Sequence, residues 1–406
     1  MAGPIVVTGI GLVTPTGLGR EVVWPNLLAG KTGIAPVESF DTEAFNVSLG
    51  GEVTGFEPRE HLKRLEVEQA GRASQLAIAA AHQALEDAGL GIDALEAERT
   101  GVTMGTTSGE PQEVEHFDDH WVADRLSQVG PEFMDRYPCH HIPANIAAEL
   151  GLAGVNMMIP AACAAGSYAI AKAFDVLQAG RADVMLAGGA DSFSRITYTG
   201  FARLGAIAPE RCQPFDVGRK GMIPGEGAAI LILETLERAR ARGARIYAEV
   251  AGYGLSCDAH HMTAAHPEGD GAARAMEQAL QQSGVAPEEV SYISAHGTGT
   301  PTNDRLETIA VERVFGPRGG GTPISSIKSM LGHTMGAASA IEAAVCSLAV
   351  HTGWIPPTIN FEQADPQCDL DCVPNEARQL EVDVAMNNAY AFGGTNASVI
   401  FRRAAE

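Results

Sequence analysis

The sequence predicts an α/β fold built from two duplicated halves. Short runs of β-branched and other apolar residues, each typical of a buried strand, alternate with alanine-rich stretches that have the spacing of helices. Two pairs of segments look like copies of each other, as expected from internal duplication. The chain has 406 residues, more than one hydrophobic core usually supports. We therefore expect an N-terminal half over residues 1–245 and a C-terminal half over residues 246–406.

Short apolar runs are the predicted core strands. Each is bounded by glycine or another turn-forming residue and has the length of a strand. Helical patterns lie between these runs. The predicted strands cover residues 4–13, 101–106, 184–190, 229–233, 246–252, 290–296 and 397–401.

The duplication is inferred from two matched pairs of segments. Predicted helices over residues 74–90 and 271–285 end in similar sequences, each with a glycine followed by an apolar residue, which is typical of a helix C-terminus. A second pair joins residues 161–166 to residues 332–339, and each member precedes an alanine-rich helix. Chance similarity between alanine-rich helices is the alternative explanation.

Charge and cysteine content argue against several classes of protein. The formal net charge of −22 argues against binding to nucleic acid or to an anionic membrane, because both need a basic surface. Apolar runs fall short of the ~20 residues that cross a bilayer. The seven cysteines form no CxxC pair, and no signal peptide is recognised, so reduced thiols are expected. We expect a soluble, cytoplasmic protein.

Cys163 is the first candidate for chemistry. It follows an apolar run and opens the alanine-rich stretch 164–178, which places it at a strand-to-helix turn. The positive end of a helix dipole favours the thiolate over the thiol. This predicts an activated nucleophile, whereas the alternative is a small buried side chain, as most free cysteines are.

Two histidine-bearing segments are the next candidates. His296 ends a predicted strand and begins the turn-rich sequence HGTGTPTND, and strand ends of this kind commonly carry active sites. Lys328 and His333 lie in a largely apolar stretch before an alanine-rich helix. A buried lysine needs an anionic partner, for which Glu307 is favoured and Asp304 is second.

The glycine-bearing segment 387–396 precedes the last predicted strand. It is predicted to be flexible, and its backbone N–H groups could approach a ligand closely.

Together, these motifs resemble the β-ketoacyl-acyl carrier protein synthase family over essentially the whole chain. The matching sequences are ACA at Cys163, HGTGTPTND at His296, KSMLGHTMGAAS around Lys328 and His333, and the terminal FGGTNAS. The similarity is greatest to the elongating Cys-His-His ketosynthases of type II fatty acid and polyketide systems. It implies a thiolase-like, five-layered αβαβα fold and a dimer.

The resemblance also implies a reaction, the decarboxylative Claisen condensation of a carrier-bound malonyl unit with an acyl chain held on Cys163. The N–H groups of Cys163 and Phe392 would form an oxyanion hole. His296 and His333 would stabilise the enolate that forms as carbon dioxide leaves. Lys328 with Glu307 would orient the two histidines.

Further residues are assigned by the same resemblance. Phe392 would be a mobile gate, with Tyr390, Ala391 and Gly393 beside it. The family usually has Phe-Gly-Phe-Gly-Gly here, whereas this chain has Tyr-Ala-Phe-Gly-Gly, so gating or acyl preference is expected to differ. A second gating loop would contain Asp258 and His261. The acyl carrier protein would dock on basic residues, for which the candidates are Lys63, Arg64, Arg203 and Arg211.

No resident cofactor and no metal are expected, because phosphopantetheine arrives on the acyl carrier protein. Two other functions remain as alternatives. A non-catalytic, chain-length-factor-like partner subunit would lack the active cysteine. A degradative thiolase would need a second cysteine in the glycine-rich C-terminal loop. The pathway, type II polyketide (including polyene) or fatty acid biosynthesis, is left open, as is the choice between a homodimer and a heterodimer with a chain-length-factor-like homologue.

Overall fold

The computed structural model describes residues 3–405, and within them lie 15 β-strands and 12 α-helices. The strands are β1 (Ile5–Thr14), β2 (Gly17–Leu18), β3 (Ala35–Pro36), β4 (Leu49–Gly50), β5 (Thr100–Gly105), β6 (Asn156–Ile159), β7 (Val184–Asp191), β8 (Gly227–Thr235), β9 (Ala248–Cys257), β10 (Tyr292–Ser294), β11 (Ile324–Ser325), β12 (Trp354–Ile355), β13 (Arg378–Gln379), β14 (Val384–Tyr390) and β15 (Thr395–Arg402). The helices are α1 (Arg20–Leu28), α2 (Arg72–Asp87), α3 (Pro111–Val122), α4 (Glu132–Arg136), α5 (His141–Leu150), α6 (Ala165–Gln178), α7 (Arg195–Arg203), α8 (Leu236–Ala241), α9 (Asp270–Ser283), α10 (Pro301–Phe315), α11 (Lys328–Leu331) and α12 (Ala338–Thr352).

The large sheet repeats one five-strand arrangement twice. Its strand order is β11-β10-β14-β15-β9-β1-β8-β7-β5-β6, and β2 forms a hairpin with β1. In the N-terminal half, β6, β5 and β7 run parallel, and β8 and β1 follow antiparallel. In the C-terminal half, β11, β10 and β14 run parallel, and β15 and β9 follow antiparallel. Pairing of β1 with β9 joins the halves, so the predicted duplication is confirmed.

Helices cover both halves of the sheet and fill the space between them. α6 and α12 contact each other and strands of both halves, which places them in the middle layer. α2 contacts β1 and β8 on one outer face, and α9 contacts β9 and β15 on the other. This is the predicted five-layered αβαβα order.

The middle-layer helix α12 and the turn before it are strongly apolar. The segment Met335–Thr352 has the length and mean hydropathy of a membrane span, but 89% of it is buried inside the protein. Its hydrophobicity is that of a central helix surrounded by other elements.

Glycines allow the outer helices to pack closely on the two equivalent strands. A Cβ added to Gly11 on β1 would lie 1.8 Å from the carbonyl oxygen of Ala80 in α2. A Cβ added to Gly254 on β9 would lie 1.9 Å from the carbonyl oxygen of Ala275 in α9. Because both distances are far below van der Waals contact, each strand needs glycine where its helix crosses.

One prediction about local structure is wrong. Segment 387–396 was expected to be flexible, but residues 387–390 belong to the buried strand β14, and the turn spans only residues 391–394. Glycines occur only in that turn, whereas the preceding residues pair along β15.

Candidate active site

Cys163 lies in a strained turn at the start of a helix. The 3₁₀ turn Ala162–Ala164 leads directly into α6, and Ala162 has a φ of 48°, a left-handed conformation that residues with a Cβ rarely adopt. The Cys163 side chain is 8% exposed and lines a cavity. The turn therefore presents the sulfur at the cavity wall, as expected for a residue at a strand-to-helix turn.

The C-terminal half contains the equivalent turn. The 3₁₀ turn Met335–Ala337 leads into α12, and Met335 has a φ of 54°. Gly166 lets the two helices meet, because a Cβ there would lie 2.6 Å from the backbone nitrogen of Ala340. Close packing of α6 and α12 therefore brings Cys163 next to His333, which lies two residues before the second turn.

Cys163, His296 and His333 form one cluster. One donor or acceptor atom from each side chain lies within 4.8 Å of the others, and all three side chains are buried. The rings of His296 and His333 meet edge to face, with 5.5 Å between centroids. The three residues that the sequence singled out from distant segments are thus neighbours.

Both histidines are neutral at neutral pH. Burial and the charge of Lys328 lower the pKa of His333 well below its usual value, and burial, Lys328 and His333 do the same for His296. The Nδ1 of His333 accepts a hydrogen bond from the backbone N–H of Met335 at 3.1 Å. The neutral ring therefore carries its proton on Nε2, which makes that atom a hydrogen-bond donor.

Burial acts against the predicted activation of Cys163 as a free thiolate. Burial raises the pKa of the thiol to about 12, although the charge of Lys328 acts in the opposite direction. Burial of the sulfur thus opposes formation of the thiolate. At neutral pH the thiol is protonated, so a neighbouring base must accept its proton when sulfur attacks.

The ion-pair partner of Lys328 is Glu342, so the prediction of Glu307 is wrong. The Nζ of Lys328 donates to Oε1 of Glu342, and both side chains are buried. Glu342 lies on the buried, alanine-rich helix α12. A lone carboxylate in such a helix is the sequence signal for this pairing. Its position fits the rule that a buried charge is paired.

Glu307 instead holds the loop that carries His296. Its carboxylate accepts hydrogen bonds from the N–H of His296 at 2.8 Å and of Gly297 at 2.7 Å. Asp304 accepts from the N–H of Phe215 at 2.8 Å and of Gly299 at 3.2 Å. Both carboxylates lie on α10, and they fix the backbone of the HGTGTPTND loop.

We expect Glu342→Ala to destabilise the protein strongly, because it leaves the Lys328 ammonium buried without a partner. Loss of one member of a buried pair typically costs about 3–5 kcal/mol. The free energy of unfolding, from denaturant titration at one fixed protein concentration, measures this effect. The control is Asp383→Ala, which breaks the exposed pair with Arg403 (2.8 Å) and should cost below about 1 kcal/mol. Similar losses in the two variants would contradict the expectation.

The turn after β14 is tied to a second loop. The Gly393 N–H donates to the carbonyl of Met262, and the Asp258 N–H donates to the carbonyl of Gly394, both at 2.8 Å. Phe392 is 44% exposed and its ring lies 6.0 Å from that of Phe201. Within residues 3–405, the Phe392 N–H has no backbone acceptor. This N–H is available to a ligand.

Tyr390 and Ala391 are less exposed than Phe392. Tyr390 ends β14, is 7% exposed, and its ring lies 5.8 Å from that of His296. Its side chain is therefore part of the wall behind His296. Ala391 begins the turn, and its N–H donates to the carbonyl of Thr395 at 2.9 Å.

The second loop contains the predicted pair Asp258 and His261. The Asp258 carboxylate accepts from Nδ2 of Asn396 at 2.7 Å and from the N–H of His266 at 2.9 Å, which anchors the loop to β15. His261 is exposed, and its Nδ1 accepts from the N–H of Thr263. Asp258 thus connects the loop to the turn, whereas His261 lies at its surface.

A cavity of about 400 Å³ connects the cluster with the surface. Its wall combines the Cys-His-His cluster, the turn after β14 and the loop after His296. The lining residues are Cys163, Phe201, Leu204, Gly205, Ala206, Lys220, Gly221, Met222, Thr263, Ala264, Ala265, His296, Thr298, Thr300, Pro301, Thr302, Asn303, His333, Tyr390, Ala391, Phe392 and Asn396.

The basic residues predicted to dock a carrier protein are separated in the structure. Lys63 and Arg64 lie in a loop whose N–H groups donate to the buried carboxylate of Glu149. Arg203 is exposed at the end of α7, next to cavity-lining Leu204. Arg211 forms an ion pair with Glu362 at 2.7 Å, which engages its charge.

Lys220 was missed from sequence. It is exposed, it lines the cavity, and within residues 3–405 it forms no ion pair. The only signal in the sequence is its position shortly after the Pro214–Asp216 motif in an acidic chain.

The cluster also has the ligand types of a metal site. A thiolate and two imidazoles are a common ligand set for Zn²⁺, and their spacing of up to 4.8 Å is somewhat wide for direct coordination. The same side chains supply a sulfur nucleophile and two nitrogen groups that donate or accept protons.

Comparison with known proteins identifies the family. The family model for the beta-ketoacyl synthase N-terminal domain matches residues 2–239, and the model for the C-terminal domain matches residues 247–362. The chain belongs to the beta-ketoacyl synthase family.

Two curated relatives are 3-oxoacyl-[acyl-carrier-protein] synthase 2 enzymes. The enzyme of Synechocystis sp. (strain PCC 6803) is 41% identical and that of Staphylococcus aureus (strain COL) is 38% identical, and each alignment covers 98% of both chains. This beta-ketoacyl synthase is therefore an acyltransferase, a ketoacyl-ACP synthase of fatty acid or polyketide biosynthesis.

Solved structures agree with this family and with the thiolase-like fold. One described as the ishigamide ketosynthase/chain length factor has a TM-score of 0.97 and 42% identity, and the match covers 100% of both chains. A ketosynthase in complex with its type II polyketide acyl-carrier protein, bound to the hexaketide, has a TM-score of 0.92 and 32% identity over 100% of both chains. The predicted fold class is confirmed.

Proposed function

We propose that this ketosynthase is the catalytic, chain-extending subunit of a type II polyketide system. The observation that carries the proposal is the buried Cys163–His296–His333 cluster at the end of a surface-connected cavity. A nucleophile beside two neutral imidazoles suits both halves of a decarboxylative condensation. A chain-length-factor-like subunit without catalysis would not need this cluster.

The first half-reaction loads the acyl chain. The Cys163 sulfur attacks the thioester carbonyl, and its proton passes to a neutral histidine nitrogen of the cluster. The N–H groups of Cys163 and Phe392 stabilise the tetrahedral oxyanion. The carbon–sulfur bond to the carrier breaks, and the carrier thiol leaves with the proton. Cys163 then holds the acyl group as a thioester.

The second half-reaction makes and uses a carbanion. The malonyl thioester oxygen accepts hydrogen bonds from His296 and from Nε2–H of His333. The bond to the malonyl carboxylate breaks, carbon dioxide leaves, and its electron pair forms the stabilised enolate. The enolate carbon attacks the Cys163 thioester, whose carbon–sulfur bond breaks. The Cys163 sulfur leaves as a thiolate and takes a proton from solvent, and the carrier bears a chain two carbons longer.

Partners and location follow from this assignment. We propose that an acyl carrier protein docks near the cavity mouth, where Arg203 and Lys220 are basic groups without an ion-pair partner in residues 3–405. In structural relatives, a ketosynthase binds a carrier protein or a chain length factor, which supports a heterodimer with a chain-length-factor-like homologue. A cytoplasmic location fits these partners.

The proposed reaction needs no resident metal or cofactor. The leaving carboxylate supplies the electron pair, and phosphopantetheine arrives on the carrier. The polyketide assignment is supported by the 0.97 TM-score to the ishigamide ketosynthase/chain length factor and by Tyr390-Ala391, where the family usually has Phe-Gly.

Loading of a panel of acyl carriers tests the pathway. Carriers with saturated, β-oxo and conjugated polyenoyl chains are incubated with the enzyme, alone and with a chain-length-factor-like homologue, and intact mass reports acylation. We expect β-oxo or polyenoyl chains to load at least about tenfold faster than saturated chains, a difference of about 1.4 kcal/mol. Full activity on saturated chains by a homodimer would instead assign the enzyme to fatty acid synthesis.

A further inference from the structure

A buried carboxylate outside the cluster connects the two halves of the site. Asp191, the last residue of β7, is fully buried. It pairs with no cation within residues 3–405, so hydrogen-bond donors alone stabilise its charge. The donors are Thr106 Oγ1 at 2.9 Å, Thr107 N–H at 2.8 Å, Ser108 N–H at 2.9 Å and Gly336 N–H at 2.7 Å.

Gly336 belongs to the strained turn that follows His333. Two consecutive N–H groups of this turn have separate acceptors: that of Met335 donates to Nδ1 of His333, and that of Gly336 donates to Oδ2 of Asp191. A Cβ added to Gly336 would lie 2.6 Å from this oxygen. The Asp191 carboxylate thus fixes the peptide next to the one that determines the His333 tautomer.

Asp191 is also close enough to affect the nucleophile. Burial, and to a smaller extent the charge of Asp191, raise the pKa of Cys163, while Lys328 lowers it. Burial raises the pKa of Asp191 itself to about 6, opposed by its hydrogen bonds. The four hydrogen bonds offset part of the cost of burying this carboxylate.

We propose that Asp191 is a positioning residue for His333. By holding the turn Met335–Ala337, it keeps the Met335 N–H on Nδ1 of His333 and leaves the proton on Nε2, facing the malonyl thioester. The inference rests on the proposed function and assigns Asp191 to one half-reaction, decarboxylation.

The substitution Asp191→Asn tests this role. Asparagine has one carbonyl oxygen, so two of the four donors lose their acceptor. With Nδ2 towards Thr107 and Gly336, the Gly336 N–H loses its acceptor and the turn shifts. A shift of about 1 Å at a catalytic group lowers rates by about 10- to 100-fold. We expect malonyl-carrier decarboxylation to fall by this factor, with acylation of Cys163 within about threefold of wild type, a change of well under 1.4 kcal/mol. The ¹⁵N chemical shifts of labelled histidine should show loss of the Nε2–H tautomer of His333.

A matched control separates positioning from general stability. Glu110 is equally buried and accepts from the N–H groups of Ala73 and Ser74, but it contacts neither turn. Glu110→Gln should leave the ratio of the two half-reactions and the histidine spectrum unchanged. If Asp191→Asn does not fold, Gly336→Ala disturbs the hydrogen bond between Gly336 and Asp191 instead. The same two rates and the same histidine spectrum are then measured on that variant. Equal loss of acylation and decarboxylation, or an unchanged His333 tautomer, would overturn the proposal.

Discussion

Cys163→Ala is expected to abolish acyl loading. Intact mass after incubation with an acyl carrier should show the acyl adduct on the wild type and none on the variant. Removing a nucleophile typically lowers turnover on the order of 10⁶-fold, so condensation should fall to background. The variant retains both histidines, so it should still decarboxylate malonyl carrier.

The matched control for this variant is Cys257→Ala. Cys257 is an exposed free cysteine at the end of β9, beside the turn that carries Phe392. An exposed thiol is the most accessible competitor for non-specific acylation. Cys257→Ala should load like the wild type. Acyl mass on Cys163→Ala equal to that on the wild type would show that Cys163 is not the nucleophile.

His333→Ala should have the reverse phenotype. The thiol of Cys163 remains beside His296, which can accept its proton, so the acyl-enzyme should still form. Decarboxylation should fall about 10²- to 10³-fold, the usual effect of removing one donor to a developing oxyanion. Release of carbon dioxide from malonyl carrier measures this rate, and intact mass measures loading in the same sample.

A histidine on α12 that lies outside the cluster provides the control. His351 lies on the last turn of this helix and packs against Tyr247, away from the cavity. His351→Ala should keep both half-reactions, whereas His333→Ala loses one. If His333→Ala decarboxylates as fast as the wild type, its Nε2–H does not act on the malonyl group.

The architecture could be predicted from sequence because it repeats. Alternation of apolar runs and alanine-rich segments located the strands and helices, and the paired sequences at residues 161–166 and 332–339 became two equivalent turns before α6 and α12. Local patterns of this kind depend on neighbouring residues and are visible in a sequence. The clustering of Cys163 with both histidines followed from the family resemblance.

Contacts between distant elements could not be predicted in the same way. Lys328 pairs with Glu342, on the other side of the His333 turn, because packing of α12 decides which carboxylate is within reach, and a sequence does not show that packing. The protonation of Cys163 depends on burial, which the helix N-terminus does not reveal. Asp191 escaped notice because its partners belong to loops far apart in the chain.

The central position of β1 has a consequence for how the protein is made. This first strand pairs with β8 on one side and β9 on the other. The partners of both edges are therefore synthesised more than 200 residues after it. Contacts this distant in sequence slow folding and prolong exposure of unpaired strand edges. Nascent chains that stop before α12 would also lack the helix that fills the middle layer. We therefore expect truncated chains to aggregate, and the nucleophile to become competent only when synthesis is nearly complete.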